Sequence, residues 1–206
     1  MDPSWLRWAR GLQAIAQNGL TYATDVYDQE RYQAIREVAA EMMAARAGTD
    51  RESVLDLFAK ETGYATPKVD VRGAVFRDDG ILLVREASDG RWSLPGGWAD
   101  VNDSPSENIV REIAEESGFE TRVRKLAAVL DRGRHPHVPA EPYHVYKMFF
   151  ICEITGGAPK PNHEIHDVGF FGAADLPELS LGRVLPAQID RMFDHWRRPD
   201  LPTEFD

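Results

Sequence analysis

Three glutamates, Glu112, Glu115 and Glu116, are spaced so that a helix would bring their carboxylates to one face. Like charges at this spacing repel by roughly 0.2 to 0.5 kcal/mol per pair, so the cluster calls for a compensating positive charge. A hard divalent cation, Mg²⁺ or Mn²⁺, prefers carboxylate oxygens and commonly bridges them to substrate phosphates. The spacing therefore indicates metal-assisted chemistry, and its alternative is a solvated acidic face neutralised by lysines or arginines.

The helix that must carry these glutamates has clear ends in the sequence. Ser104 is a favourable N-cap, Pro105 suits the first helical position, and Glu107 completes a capping box with Ser104. Gly118 provides the stop. Apolar residues form a stripe on the side away from the glutamates, which predicts that this side packs on the core. Residues 93–97, Ser-Leu-Pro-Gly-Gly, precede the helix, and their glycines allow backbone groups to approach a ligand or metal closely.

This segment resembles the Nudix box, G-x5-E-x7-R-E-U-x-E-E-x-G-U, where U is a bulky apolar residue. The matching residues are Gly97, Arg111, Glu112, Ile113, Glu115, Glu116, Gly118 and Phe119. Asp103 stands at the first glutamate of the box; it keeps the charge but shortens the reach towards the box arginine. A pattern with so many fixed positions is specific.

The resemblance implies roles for individual residues. Glu112, Glu115 and Glu116 would hold Mg²⁺ or Mn²⁺ together with the carbonyl of Gly96, and Arg111 would orient the box carboxylates. Many family members take their general base from a late loop, which here is residues 162–167, Asn-His-Glu-Ile-His-Asp. We expect Glu164 to be that base and keep Asp167 as the alternative.

The chain divides by pattern into a helical N-terminal region, residues 1–66, and a mixed α/β domain, residues 67–206. The first region predicts three helices, ending near Gly19, Gly48 and Gly63. The second predicts strands at residues 69–76, 81–85, 92–94, 122–130, 143–154 and 168–171. Helices follow the third strand and the last one. This order is typical of an α/β/α sandwich with a mixed sheet, and it agrees with the Nudix fold that the resemblance implies.

Composition limits the function. The 206 residues carry a net charge of −10 with a pI near 5.1, which argues against general binding of nucleic acid or anionic membranes. The sequence contains neither a signal peptide nor a stretch long enough to span a bilayer, so we expect a cytoplasmic protein. The single cysteine, Cys152, lies in an apolar run and is expected to be a buried strand residue.

Other polar and aromatic residues suggest how a substrate could be held. His135, His137 and His144 could suggest zinc, but the intervening prolines and the lack of cysteine ligands argue against it. His137 or His144 could instead donate hydrogen bonds to phosphate. Trp98 and Tyr143 could stack on a base. All four residues are candidate substrate contacts.

The resemblance extends beyond the box to Nudix hydrolases with an N-terminal helical extension, a branch that includes CDP-choline and ADP-ribose pyrophosphatases. It implies hydrolysis of a nucleoside diphosphate linked to a group X, giving a nucleoside monophosphate and a phosphorylated X. The alternatives are trimming of RNA 5′ ends and a non-catalytic, ligand-sensing Nudix module. Residues 1–66 have little room for a core of their own, so we expect them to contribute to a homodimer or to cover the substrate site.

Overall fold

The structure is a computed structural model that describes residues 2–206. It divides into two compact units. Residues 2–67 and Glu141–His144 form the first unit, and Lys68–Ala140 and Val145–Asp206 form the second. The short segment Glu141–His144 thus groups with the N-terminal helices, a placement that the sequence patterns do not predict. Within the described residues no helix is long and apolar enough to cross a membrane.

The first unit contains three helices, as predicted: α1 (Ser4–Tyr22), α2 (Val26–Ala47) and α3 (Arg51–Ala59). Side-chain caps fix two of the helix starts. Asp25 accepts hydrogen bonds from the backbone of the first turn of α2, and Asp50 accepts one from Ser53 at the start of α3. The shared core consists of Leu6, Ala9, Ala39, Ala40, Met43, Val54 and Phe58.

Several large apolar residues of this unit are exposed. Trp8 and Ile15 on α1 are 62% and 54% exposed, and Val38 on α2 is 50% exposed. The periodicity of a helix records that residues share a face, and it does not say whether the same chain covers that face.

The second unit is built on a mixed sheet. Its strands are β1 (Lys68–Arg77), β2 (Gly80–Glu86), β3 (Trp92–Ser93), β4 (Phe119–Asp131), β5 (Val145–Gly157), β6 (Ile165–Phe171) and β7 (Glu204–Phe205). Along the sheet they are ordered β3-β2-β1-β5-β4-β7, and β6 pairs with β2. The pairs β1–β5 and β4–β7 are parallel, whereas β4–β5 and β2–β6 are antiparallel.

Helices α4 (Pro105–Ser117) and α5 (Pro186–Arg197) pack on opposite faces of the sheet. The core on the α4 face includes Val71, Val75, Ile109, Ile113 and Phe150. The core on the α5 face includes Ala74, Leu130, Phe149, Ile189 and Phe193. Successive side chains of β1 and β5 point alternately into the two cores, because side chains alternate between the faces of a sheet along each strand. The predicted α/β/α sandwich, preceded by a helical region, is confirmed.

Some boundaries differ from the predicted ones. β4 begins directly at Phe119, and β6 begins at Ile165, so the late loop is shorter than the sequence suggested. β5 begins at Val145, after the segment that groups with the first unit. The short strand β7 has no counterpart in the predicted elements. Cys152 is buried on β5, and its burial raises the pKa of the thiol to about 12.

Candidate active site

Helix α4 forms as its sequence predicts. The Ser104 side chain accepts a hydrogen bond from the backbone N–H of Glu107, and the Glu107 carboxylate accepts one from the backbone N–H of Ser104. Gly118, at φ 80°, ends the helix. Ile109 and Ile113 are fully buried on its inner face. Helix and sheet approach closely at Gly73 of β1, where an added Cβ would lie 2.6 Å from the Ile113 side chain. This packing fixes the helix, and with it the carboxylates on its other face.

Arg111 is the centre of the polar face of α4. The residues that surround its guanidinium are Asp100 at 2.7 Å, Glu115 at 2.9 Å, Glu112 at 3.0 Å, Asn108 at 3.1 Å and Asp103 at 3.7 Å. The closest partner is therefore Asp100, while Asp103, at the family's glutamate position, is the most distant. Asp100 supplies the short ion pair for which Asp103 lacks the reach.

The loop before α4 is held against β1 by backbone hydrogen bonds. The N–H of Val71 donates to the carbonyl of Gly97 at 2.8 Å, and the N–H of Gly73 donates to that of Pro95 at 2.9 Å. Gly96 lies between them at φ 133°, and its N–H donates to the Glu116 carboxylate at 2.9 Å. The loop and α4 are thus joined at the carboxylate that the resemblance assigns to metal binding.

A buried ionic network lies behind this loop. The carboxylate of Asp70 on β1 accepts from Arg72, at 2.8 and 3.0 Å, and from Lys147 on β5, at 2.5 Å. Arg72 also donates to the Leu94 carbonyl at 3.0 Å and to the Ser93 hydroxyl at 3.2 Å. Burial alone would raise the pKa of Asp70, but the two cations lower it to about 2. The network fixes residues 93–94 and hence the glycines that follow.

Sequence reasoning missed this network, although one pattern could have indicated it. Asp70 and Arg72 alternate with valines in the run Val69-Asp70-Val71-Arg72, so their side chains share one face of a buried strand. Charged residues are almost never fully buried unless they are paired. That pattern predicts a buried pair, but it does not identify the third partner.

The carboxylates near the loop have raised pKa values. Burial is the largest cause at Glu116 and raises its pKa to about 8; Glu86 and Glu112 raise it further, while Arg72 and the Gly96 N–H oppose the shift. Burial is also the largest cause of the raised pKa values of Glu86 and Glu112. Glu86, at the end of β2, is a further carboxylate that the sequence analysis did not include. A cation bound near Glu86, Glu112 and Glu116 would offset the cost of burying their negative charges.

The donor set fits a hard divalent metal ion. Glu112 and Glu116 offer carboxylate oxygens, and Gly96, whose N–H donates to Glu116, has a main-chain carbonyl; both are ligand types that Mg²⁺ and Mn²⁺ accept. Within residues 2–206 no three His, Cys, Asp or Glu side chains are gathered into a complete metal site. Glu112 and Glu115 are instead engaged by Arg111.

The late loop lies beside the same group of residues. The Glu164 carbonyl accepts from the N–H of Ala87, directly after β2, at 2.7 Å. The Glu164 carboxylate is close enough to Glu86 to contribute to the raised pKa of Glu86. Asp167 has already entered β6, opposite Arg85, and its carboxylate accepts from the neighbouring Val168 N–H. Glu164 is thus close to Glu86, whose charge also raises the pKa of Glu116, whereas Asp167 is part of β6.

The four candidate substrate contacts differ in their surroundings. Trp98, in the loop before α4, is 50% exposed. Tyr143 and His144 belong to the segment that groups with the helical unit. His137 is buried; its Nδ1 lies 2.8 Å from the Leu181 carbonyl and its Nε2 lies 3.1 Å from the Gln188 amide. Burial lowers the pKa of His137 to about 3. Neither ring nitrogen is left for a phosphate, so His137 has a packing role here.

Comparison with known families agrees with this arrangement. Residues 66–191 match the family model described as the NUDIX domain, and residues 3–58 match one described as a UDP-X-like, N-terminal oligomerisation domain. The two matches meet near the boundary between the helical region and the sheet.

Individual relatives agree as well. A Bacillus subtilis protein with the provisional name ADP-ribose pyrophosphatase YjhB is 49% identical over 206 residues, covering 100% of this chain and 99% of the relative. The crystal structure of a UDP-X diphosphatase has a TM-score of 0.64 at 34% identity and covers 98% of both chains. That of an ADP-ribose pyrophosphatase from Streptococcus suis has a TM-score of 0.60 at 38% identity, covering 68% of this chain and 100% of that one.

The match to the NUDIX domain spans more than half of the chain, and the box residues lie on the helix and loop described above. The protein therefore belongs to the Nudix family, as a Nudix pyrophosphatase with a helical N-terminal domain of the UDP-X-like oligomerisation type.

Proposed function

We propose that this enzyme hydrolyses the diphosphate of a nucleoside diphosphate linked to a sugar-type group X, with Mg²⁺ or Mn²⁺ as cofactor. The main support is the grouping of the box glutamates on α4, where Glu112 and Glu115 both contact Arg111 and Glu116 accepts from the Gly96 N–H at 2.9 Å, because carboxylates grouped in this way favour a cation that can also bind a diphosphate. The substrate class follows the names of the relatives, which are those of ADP-ribose pyrophosphatases and a UDP-X diphosphatase.

The box residues have separate roles in this proposal. Glu112, Glu115, Glu116 and the carbonyl of Gly96 hold the metal. When bound, the metal offsets charge on the phosphate oxygens and lowers the pKa of the attacking water. Arg111 keeps Glu112 and Glu115 in place, since it already contacts both carboxylates.

Glu164 acts as the general base. It takes a proton from a water molecule, whose oxygen then attacks one phosphorus of the diphosphate. The bond from that phosphorus to the bridging oxygen breaks, and the products are a nucleoside monophosphate and phosphorylated X. Trp98, Tyr143 and His144 are the proposed contacts to the base and to group X, whereas His137 is left out because its ring nitrogens are already occupied.

A substrate panel tests the reaction. The purified protein is incubated with ADP-ribose, a UDP-sugar, CDP-choline and a 5′-triphosphorylated RNA, each with Mg²⁺, Mn²⁺ or EDTA, and products are identified by mass spectrometry. We expect metal-dependent release of a nucleoside monophosphate from ADP-ribose or the UDP-sugar. Turnover of the RNA alone would replace the proposed substrate class. Binding of a nucleotide without turnover of any substrate would indicate a ligand-sensing module.

We further propose that the N-terminal domain forms a homodimer through an exposed stripe on α1. This stripe consists of Trp8, Gly11, Ile15 and Tyr22. Their spacing of three, four and seven residues places them on one face, and the three large side chains are each more than half exposed. An added Cβ at Gly11 meets no atom within 4 Å, so no contact among the described residues explains this helix-weakening glycine. Close approach of a second copy would explain it.

Light scattering tests the interface. Wild type should have the mass of a dimer at micromolar concentration, and Ile15→Asp should have that of a monomer. Tyr27→Ser is the matched control, because Tyr27 is 65% exposed on α2, outside the stripe, and should leave the dimer intact. A monomeric wild type, or a dimeric Ile15→Asp variant, would contradict the proposed stripe.

A further inference from the structure

Asn162, in the loop between β5 and β6, contacts both the box helix and the backbone of Glu164. Its Nδ2 donates to the main-chain carbonyl of Glu115 at 2.7 Å. Its Oδ1 accepts from the N–H of Glu164 at 2.7 Å and from the N–H of Ile165 at 2.9 Å. One side chain thus connects the last turn of α4 to the residue proposed as the general base.

The amide can make these contacts in only one orientation. Two backbone N–H groups need an acceptor on one side, and a carbonyl needs a donor on the other, which matches the oxygen and nitrogen of an asparagine. The Glu115 carbonyl lies in the last turn of α4, where carbonyls lose their helical partners and the helix dipole is negative. A donor without negative charge suits this position.

Backbone contacts hold the surrounding loop on both sides. The N–H of Lys160 donates to the Ser117 carbonyl at 2.9 Å, and the N–H of Ala87 donates to the Glu164 carbonyl at 2.7 Å. The loop is therefore fixed to the end of α4 and to the end of β2. Asn162 adds a contact that passes directly from α4 to the residue that carries the base.

We propose that Asn162 is a positioning residue, which fixes the main chain of Glu164 relative to the metal-binding helix. This inference rests on the proposed function, since it takes Glu164 as the general base. Asn162 is exposed, so its hydrogen bonds add little to overall stability, and its effect is expected on turnover. A displacement of the base by about 1 Å is enough to cost on the order of 100-fold in rate.

The decisive variant is Asn162→Asp. It is nearly isosteric and keeps the oxygen that accepts from Glu164 and Ile165, but it places a carboxylate oxygen against the Glu115 carbonyl. We expect kcat to fall by about 10-fold to 100-fold with KM within about threefold of wild type. Lys160→Ala is the matched control in the same loop, because the contact of Lys160 to Ser117 is made by its main chain. It should stay within about twofold of wild type in kcat.

A double-mutant cycle with Glu164→Gln shows whether Asn162 acts through Glu164. We expect Glu164→Gln to lower kcat by about 10² to 10⁴, and Asn162→Asp to cause no further loss in that background. If Glu164→Gln is slow and Asn162→Asp either has no effect or multiplies the loss, the positioning role is refuted while the proposed base stands. If Glu164→Gln turns over at the wild-type rate, both assignments are refuted. Melting temperatures of all variants confirm that each is folded.

Discussion

Substitution of Gly96 by alanine should abolish most of the activity through the backbone alone. Gly96 has φ 133°, a conformation that residues with a Cβ rarely adopt, and an added Cβ would lie 2.0 Å from the Val71 carbonyl oxygen. The atoms that an added Cβ would meet belong to the main chain of Val71 and Arg72 on β1, in the middle of the sheet. The clash therefore cannot be relieved by rotating a flexible side chain.

The size of the effect follows from this geometry. To restore ordinary van der Waals contact, the loop must move away from β1 by about 1.4 Å. This shift displaces the Gly96 carbonyl and breaks the hydrogen bond from its N–H to Glu116, which is 2.9 Å long. A misplacement of about 1 Å can cost 100-fold in rate, so we expect kcat/KM to fall at least about 100-fold. Backbone strain adds about 1–3 kcal/mol of destabilisation.

Steady-state kinetics over a range of Mn²⁺ concentrations is the assay, with a melting curve for each variant. Gly97→Ala is the matched control, because a Cβ there would lie 3.4 Å from a Glu112 oxygen, an ordinary contact, and should cost only a few-fold. A Gly96→Ala variant with wild-type kcat/KM and metal dependence would refute the assigned role of this loop. Equal losses in both variants would show that the clash with Val71 is not the cause.

Three further predictions concern buried and clustered charges. Glu116→Gln should abolish turnover at saturating Mg²⁺. The protein should stay folded, because the Glu116 side chain lies on the polar face of α4 and its replacement opens no core cavity. Wild-type turnover by this variant would reject the role of Glu116 in metal binding. The folded-state pKa of Glu116 is raised to about 8, so the folded state holds this proton more tightly than the unfolded state does. The stability of the metal-free protein should therefore fall as pH rises from about 5 through 8. In melting curves recorded across this pH range, Glu116→Gln should show a smaller fall. Asp70→Asn should lower the free energy of unfolding by about 3–5 kcal/mol, since it leaves Arg72 and Lys147 buried without their counter-charge. Urea unfolding measures this change, and an unchanged midpoint would contradict a stabilising role for the Asp70 ion pairs.

The lowered pKa of Asp70 predicts a second pH effect, in which stability falls as pH is lowered rather than raised. Its folded-state pKa is lowered from 3.8 to about 2, so its contribution to stability is present above about pH 4 and is lost as pH falls towards 2. The expected loss is about 2 kcal/mol, measured as the fall in unfolding free energy between pH 4 and pH 2. The Asp70→Asn variant should lack this component of the acid transition, and a variant with the same acid dependence as wild type would contradict it.

The sequence by itself determined the box helix and the order of elements around it. Capping by Ser104 and Glu107, the stop at Gly118 and the separation of buried isoleucines from glutamates all depend on residues within a few positions of each other. Such local preferences are readable along the chain. The family followed from the same segment, because the box is one continuous stretch of fixed spacing.

Tertiary structure alone decided which distant residues meet. Lys147 lies 77 positions after Asp70 and pairs with it only because β1 and β5 align in parallel at that register. Asp100 rather than Asp103 makes the short contact with Arg111, and His137 turns inward to Leu181 and Gln188. Each outcome depends on how separate segments pack and which groups they desolvate. A pattern read along one stretch of sequence does not contain that information.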